Sequence, residues 1–225
     1  MSMEDTVIES LIGNMVYVDE SQLIINSNTA YCEQYAQISL SPYYINKFPV
    51  SKKEWLVIMG KDIRQEYDNF PIVNVSWYDC HDFINRLNRL TNVGFRLPTR
   101  VEWEFAASGG GQSHGNQYSG SSNPDEVAWY KEGLQGSIHE IGLKKPNELG
   151  LYDMSGNVWE WCQDTCPYHS NPLNRKNNII EDYASSHRVI KGGSGGTEKD
   201  LCKVSYTYGQ HPDYKGCYVG FRLAC

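Results

Sequence analysis

The chain has 225 residues, a formal net charge of −7 and a hydrophobic fraction of 40%. This size and composition suit a globular protein with a substantial core. The negative charge and the lack of a Lys/Arg cluster argue against a nucleic-acid partner, because phosphate binding needs a concentrated basic face. No apolar stretch approaches the roughly 18 residues of a membrane span, so we expect none.

The N-terminus and the cysteines both favour a soluble protein with reduced thiols. The first six residues, Met-Ser-Met-Glu-Asp-Thr, lack the basic and apolar regions of a signal peptide. The seven cysteines are odd in number and scattered, which is not typical of a disulfide framework. Cys162 and Cys166 have a spacing found in zinc sites, but no second pair follows at a suitable distance. Buried thiols are therefore the favoured interpretation, with zinc as the alternative.

The first half of the chain predicts two short strands and three helices. The strands are expected at 15–18 and 43–45, where apolar and aromatic residues cluster. Each helix start shows a capping box, in which a Ser or Thr caps the helix and an acid three residues later bonds back. The three boxes are Ser51–Glu54, Ser76–Asp79 and Thr99–Glu102.

The second half is richer in Gly, Ser, Asn and Pro, and predicts loops and short strands. Loops are expected at 108–123 and 163–178. Short strands are expected where β-branched and aromatic residues cluster, at 127–130, 158–162, 188–191, 204–208 and 218–223. The prediction is an α+β fold with helices early and a loop-rich, twisted antiparallel sheet late. No long linker divides the chain, so residues 1–225 are interpreted as one domain.

Several blocks of sequence resemble the formylglycine-generating enzyme (sulfatase-modifying factor) family. They are YYINKFPVSKKEW from Tyr43, PIVNVSW from Pro71, FRLPTRVEWEFA from Phe95, NELGLYDMSGNVWEW from Asn147, RVIKGGS from Arg188 and GFRL from Gly220. The resemblance implies a variant of the C-type lectin fold. Members of the family include copper-dependent oxidases, iron-dependent sulfoxide synthases, accessory proteins and the variable proteins of diversity-generating retroelements.

The resemblance implies where the oxidase chemistry would lie. In the oxidases, two cysteines at three and eight residues after the Ser of the Gly-Gly-Ser turn hold copper together. Here Thr197 and Cys202 occupy these positions after Ser194. A Thr supplies no thiolate, so the pair is incomplete and we expect no copper. The six histidines show no pairing typical of an iron site, so we expect no iron either.

The Asn147 block carries the resemblance to a calcium site. In calcium-bearing members this stretch binds Ca²⁺ through two side chains and two main-chain carbonyls. At the matching positions of this sequence, the resemblance implies the ligands Asp153, Gly156, Val158 and Glu160. Asp153 stands where the enzyme has an Asn. Hard oxygen donors on a turn suit calcium, which would have a structural role. The alternative is a purely structural block, in which Trp159 and Trp161, two apart on a strand, are buried on one face.

The C-terminal segment has the composition of a binding surface. Residues 205–218 contain four Tyr together with Ser, Thr, Gly, Gln and His, as in an antibody paratope. We expect these Tyr to be exposed on one face, and the Gly pair after the Gly-Gly-Ser turn to leave room for a ligand group. The predicted ligand-binding residues are Gly195, Gly196, Tyr206, Tyr208, His211, Tyr214, Cys217 and Tyr218.

The segment 188–223 also resembles a retroelement-diversified variable region. In this segment, positions that match the family alternate with Tyr, Ser, Gly, His, Asp, Cys and Thr. These are residue types that arise when the adenines of an Asn codon are mutated, as such retroelements do. The sequence therefore predicts a non-catalytic protein that binds a protein or glycan ligand through this region. The alternatives are an oxidase of the formylglycine-generating type and a structural accessory protein. We expect a cytoplasmic or phage-particle location, with display at a cell surface left open.

Overall fold

The computed structural model describes residues 2–29, 32–61, 69–133, 136–166 and 187–225, with the backbone alone for 23–29 and 32–37. Helices dominate its first half. The α-helices are α1 (Met3–Gly13), α2 (Lys52–Ile58), α3 (Trp77–Thr91), α4 (Arg100–Ala107) and α5 (Pro124–Val127). Two short 3₁₀ turns, Gly110–Gln112 and Lys199–Cys202, complete the helical elements of the described residues.

Capping boxes begin four of these helices. The three predicted boxes are confirmed at the starts of α2, α3 and α4. A fourth, in which Ser2 and Asp5 bond each other's backbone N–H groups, begins α1 and was not predicted, although the same signal is present in the sequence. The apolar residues Cys80, Phe83, Ile84 and Leu87 of α3 are buried, whereas Trp77 in its first turn is half-buried and Leu90 in its last turn is 43% exposed.

The described strands form three sheets. Two are antiparallel pairs, β1 (Met15–Val18) with β4 (Tyr43–Asn46) and β2 (Ser21–Thr29) with β3 (Cys32–Leu40). The third has the order β7-β6-β5-β8, with strands Thr207–Gln210, Arg188–Lys191, Trp159–Thr165 and Val219–Gly220.

Four details differ from the sequence prediction. The β2–β3 hairpin was missed, because its polar residues obscure the alternation of a strand. The β5–β8 pair is parallel rather than antiparallel. The run 127–130 is the end of α5 followed by a single bridge at Trp129. Of the loop predicted at 163–178, residues 163–165 continue β5, and those from 167 onward lie outside the described residues.

The core holds the aromatic residues predicted to be buried. Trp161 and Phe221 are fully buried, and Trp159 is 7% exposed, in one cluster with the apolar faces of α2 and α3. Cys162 and Cys166 are free thiols and both are buried, as expected. In the part of the chain that the structure describes, no group of three or more His, Cys, Asp or Glu residues could hold a metal ion. Nor does any helix in that part reach the length and apolarity of a membrane span.

A buried ion pair in the second half of the chain is hydrogen-bonded to residues of the first half. Both carboxylate oxygens of Glu160 on β5 accept hydrogen bonds from the Arg222 guanidinium at 2.7 Å, and both side chains are fully buried. Arg222 also donates to the carbonyls of Asn46 and Tyr152, at 3.0 and 2.8 Å. The indole N–H of Trp103 donates to Glu160 at 2.6 Å. The charges are thus paired and hydrogen-bonded, as burial requires.

The Arg222→Ala variant is expected to lose about 3–5 kcal/mol in the free energy of unfolding, because it leaves the Glu160 carboxylate buried without its partner. Urea denaturation measures this loss. The matched control is Lys145→Ala, which removes an ion pair with Glu126 whose side chains are 70% and 41% exposed. We expect that change to cost less than about 1 kcal/mol. Equal effects of the two substitutions would contradict the assigned role of Arg222.

Candidate ligand-binding site

The C-terminal residues surround a depression of about 370 Å³ that is lined by residues from all four strands of the β7-β6-β5-β8 sheet. Most predicted ligand-binding residues line it: Gly196, Tyr206, Tyr208, Tyr214, Cys217 and Tyr218. Sequence reasoning missed other lining residues, namely Trp159, Ile190, Ser194, Thr197, Leu201, Gln210 and Val219. None of these side chains carries a formal charge. The depression is thus suited to an uncharged group, because a charged one would lose its hydration without an ionic partner.

The four tyrosines do not share the exposure that the sequence predicts. Tyr208 and Tyr214 are 43% and 45% exposed, as expected, and Cys217 is exposed beside them. Tyr206 and Tyr218 are only half-buried and pack against the hydrophobic core. The predicted exposure is thus confirmed for Tyr208 and Tyr214 and wrong for Tyr206 and Tyr218, whose rings form walls of the depression.

Trp159 forms the floor of the depression. It lies on β5, and its ring centroid is 6.1 Å from those of Tyr206 and Tyr208. Its residual exposure is small, so one indole both fills the core and contributes to the depression. Strand alternation predicted its burial, but its contact with residues of β7 depends on the order of the strands in the sheet.

The glycine pair is occupied by the protein itself rather than left open for a ligand. Gly195 is buried, and a Cβ there would overlap the carbonyl oxygen of Ser137. A Cβ at Gly196 would lie 2.7 Å from the ring of Tyr218. Gly195 therefore leaves no room for a ligand group, whereas Gly196 lines the depression and remains a predicted ligand contact. Both positions require glycine, because the backbone of Ser137 lies against Gly195 and the ring of Tyr218 lies against Gly196.

His211 lies outside the lining of the depression. It is exposed, and its Nδ1 accepts a hydrogen bond from the backbone N–H of Asp213 at 3.3 Å. Its role as a ligand contact remains a prediction.

A buried lysine holds the start of the binding segment in place. Lys191 on β6 is fully buried, and its ammonium donates to the carbonyls of Val204 and Tyr206 and to the hydroxyl of Thr207. It also forms a 2.8 Å ion pair with Glu104 on α4. Burial lowers the pKa of Lys191, while Glu104 acts in the opposite direction. The backbone that carries Tyr206 and Tyr208 is thus tied to the scaffold.

The structure brings Thr197 and Cys202 together. The hydroxyl of Thr197 lies 3.9 Å from the sulfur of Cys202. The Thr197 hydroxyl also accepts from the backbone N–H of Ser194 at 2.9 Å and donates to the Ser194 carbonyl at 3.0 Å, which closes the turn. Burial raises the pKa of Cys202 to about 11, so its sulfur is a thiol at neutral pH. A hydroxyl and a neutral thiol are poor ligands for copper.

The predicted calcium ligands lie on the turn 153–157 and the start of β5, but Glu160 is already engaged. Both of its carboxylate oxygens are bound by Arg222, which a cation at Glu160 would have to displace. Asp153 accepts from the backbone N–H of Gly142 at 2.7 Å. Binding of Ca²⁺ by all four residues would require the Glu160–Arg222 pair to open, and the calcium site remains a prediction.

The chain matches the family model described as the sulfatase-modifying factor enzyme 1-like domain over residues 6–225. The chain belongs to this family. It is 30% identical to the chaperone protein LppX of Paenibacillus barcinonensis, over 88% of this chain and 86% of that protein. It is 29% identical to the formylglycine-generating enzyme of Mus musculus over 83% of this chain, but spans only 52% of that enzyme.

A solved relative gives the fold. Treponema denticola variable protein 1 is 28% identical, with a TM-score of 0.76 over 94% of each chain. The expected α+β fold of this family, a variant of the C-type lectin fold, is thereby confirmed, as is the similarity to a variable protein.

The stability of the Asp153→Asn variant relative to the parent chain is expected to increase as the pH rises. Burial raises the pKa of Asp153 to about 6, from an ordinary value of 3.8. The proton is therefore held more tightly in the folded state, and this contribution to stability is present below about pH 4 and lost as the pH rises through about 6. The free energy of unfolding of the variant minus that of the parent should rise by about 1–3 kcal/mol across this window.

Denaturant unfolding in EDTA at several pH values measures the difference. A difference that is constant with pH would contradict the assignment to Asp153. Adding Ca²⁺ to the parent chain tests the calcium prediction in the same assay, because an ion that binds only the folded state raises the free energy of unfolding with its concentration. The absence of such a rise would leave the block structural.

Proposed function

We propose that this protein is a non-catalytic ligand-binding protein that recognises its partner through the depression and the exposed residues around it. The observation that carries the proposal is the composition of the lining, in which Trp159 and four tyrosines surround an uncharged space. Aromatic side chains supply a large contact area at a low entropy cost, and such anchors dominate many interfaces. The partner is a protein or a glycan.

The separation of scaffold and contact residues supports a surface that tolerates substitution. Lys191, Glu160 and Arg222 hold the backbone from fully buried positions. Tyr208, Tyr214 and Cys217 project from it and are exposed. Substitutions at these exposed positions alter the recognition surface and leave the buried side chains of the core in place.

The similarity to Treponema denticola variable protein 1 supports the further proposal that residues 188–223 are diversified by a retroelement. A neighbouring DNA copy of this segment that differs only at adenines would establish it. A nearby genome region with neither such a copy nor a reverse transcriptase gene would contradict it.

Tyr208→Ala and Tyr214→Ala are each expected to reduce the free energy of partner binding by about 1–2 kcal/mol, because they remove exposed aromatic contacts. Stability should change by no more than about 0.5 kcal/mol. The measurement is the affinity for a peptide or glycan selected from a library against the parent chain, with denaturation of each variant alongside. Tyr44→Ala is the matched control, because Tyr44 is also 45% exposed but lies on β4. Selected ligands that are equally sensitive to all three changes would contradict the proposed site.

The alternative oxidase activity predicts turnover of a peptide containing Cys-x-Pro-x-Arg. We expect no formylglycine above the copper-only blank when the parent chain is incubated with copper and oxygen, because Thr197 replaces the first thiol. Mass spectrometry of the peptide measures this, with an active member of the family as the positive control. Turnover by the parent chain that is lost in Cys202→Ser would replace the binding proposal with the oxidase.

A structural accessory role is the second alternative, and the similarity to LppX over nearly the whole length of both proteins favours it. Such a protein would need no recognition through the exposed tyrosines. The Tyr208 and Tyr214 variants therefore also separate this alternative from the main proposal.

A further inference from the structure

A loop far from the C-terminal segment in sequence borders the depression. The hydroxyl of Tyr218 donates to the carbonyl of Gly136 at 3.0 Å. The backbones of Gly136 and Ser137 also contact Gly195 so closely that a Cβ on either glycine would overlap the other chain segment. We call residues 136–139 the rim. Because Gly196 and Tyr218 line the depression, the rim lies directly beside it.

The rim is held rigidly. The imidazole of His139 stacks on Trp129 with 3.7 Å between ring centroids and 20° between planes. The backbone N–H of His139 donates to the side-chain carbonyl of Asn157 at 3.0 Å, and the amide of Asn157 donates back to the carbonyl of His139 at 3.2 Å. Asn157 itself is fully buried. The rim is therefore organised before any ligand arrives, which reduces the entropy cost of binding.

The rim presents hydrogen-bonding groups without a formal charge. Ser137 is exposed, and its hydroxyl lies 2.8 Å from Nε2 of His139. Burial lowers the pKa of His139, and Lys144 lowers it further, which favours the neutral imidazole. The Ser137 hydroxyl can both donate and accept. An apolar depression with a polar rim is the anatomy of a protein interface.

We propose that the rim is part of the recognition surface, and that the surface takes an aromatic side chain of a protein partner. The ring enters the depression, and the peptide group next to it hydrogen-bonds to Ser137. This inference rests on the proposed function. It favours a protein over a glycan because Ile190, Leu201 and Val219 add aliphatic surface to the aromatic rings of the lining. The polar side-chain groups of the described lining are mainly hydroxyls and the single amide of Gln210, with no carboxylate to accept from several sugar hydroxyls at once.

N-acetyl-L-tryptophanamide is a probe of this chemistry, because it joins one uncharged aromatic ring to two peptide groups. In an NMR titration of the full chain, we expect signals of Tyr218 and of the His139 imidazole to shift with one common dissociation constant. The His114 imidazole, which is bound to Glu148 on another loop, should stay unchanged. The Ser137→Ala variant should bind the probe about 2- to 10-fold more weakly, the loss expected for one neutral hydrogen bond.

Ser113→Ala is the matched control, since Ser113 is also exposed in a loop and hydrogen-bonded to a residue two positions later. We expect it to leave the affinity for the probe unchanged. Shifts at Tyr218 without shifts at His139, or no effect of Ser137→Ala, would overturn the rim proposal and leave the proposed function standing. Shifts with methyl α-glucoside but not with the probe would overturn the aromatic ligand class. No response of Tyr218 to either compound would count against the depression as a binding site.

Discussion

The buried pair of Glu160 and Arg222 is the interaction on which the rest of the structure depends. It links β5 to the C-terminal segment and, through the carbonyls of Asn46 and Tyr152, to the end of β4 and the turn before residue 153. Two charges are stable without solvent here because every strong donor of the guanidinium has an acceptor nearby. Trp159 precedes Glu160 directly, and Tyr218 lies four residues before Arg222. The pair thus determines where the floor and one wall of the depression lie.

The recognition surface is built from close approaches as much as from side chains. Gly196 lets the ring of Tyr218 lie against the backbone, and the hydroxyl of that ring ties the C-terminal segment to Gly136. Lys191 fixes the opposite side by holding the carbonyls of residues 204 and 206 from within the core. A rigid frame of this kind reduces the entropy lost on binding. The exposed positions 208 and 214 can at the same time accept side chains other than tyrosine.

The resemblance to the family's oxidases implies that the depression includes the position of their first copper thiol. Thr197 lines the depression, and its hydroxyl closes the turn with Ser194. Cys202 remains beside it as a buried thiol whose pKa is raised. The hydroxyl of Thr197 hydrogen-bonds the backbone of Ser194 at a position where a thiolate would provide redox chemistry. The same location in the fold can therefore serve recognition instead of catalysis.

The sequence by itself determined the family, the three predicted capped helices, most of the strands and the burial of Trp159, Trp161 and Phe221. These features follow from local spacing, because a capping box or a strand alternation involves residues only a few positions apart. It also indicated the segment that lines the depression, from its composition alone.

Tertiary structure alone decided what the special residues of the site contact. Gly195 and Gly196 were expected to leave space for a ligand, but Ser137 and Tyr218 occupy that space. Glu160 was interpreted as a calcium ligand, yet its carboxylate pairs with an arginine 62 residues away. The rim had no signal in the sequence for the same reason. A contact between distant segments depends on the path of the whole backbone, which no local pattern of residues encodes.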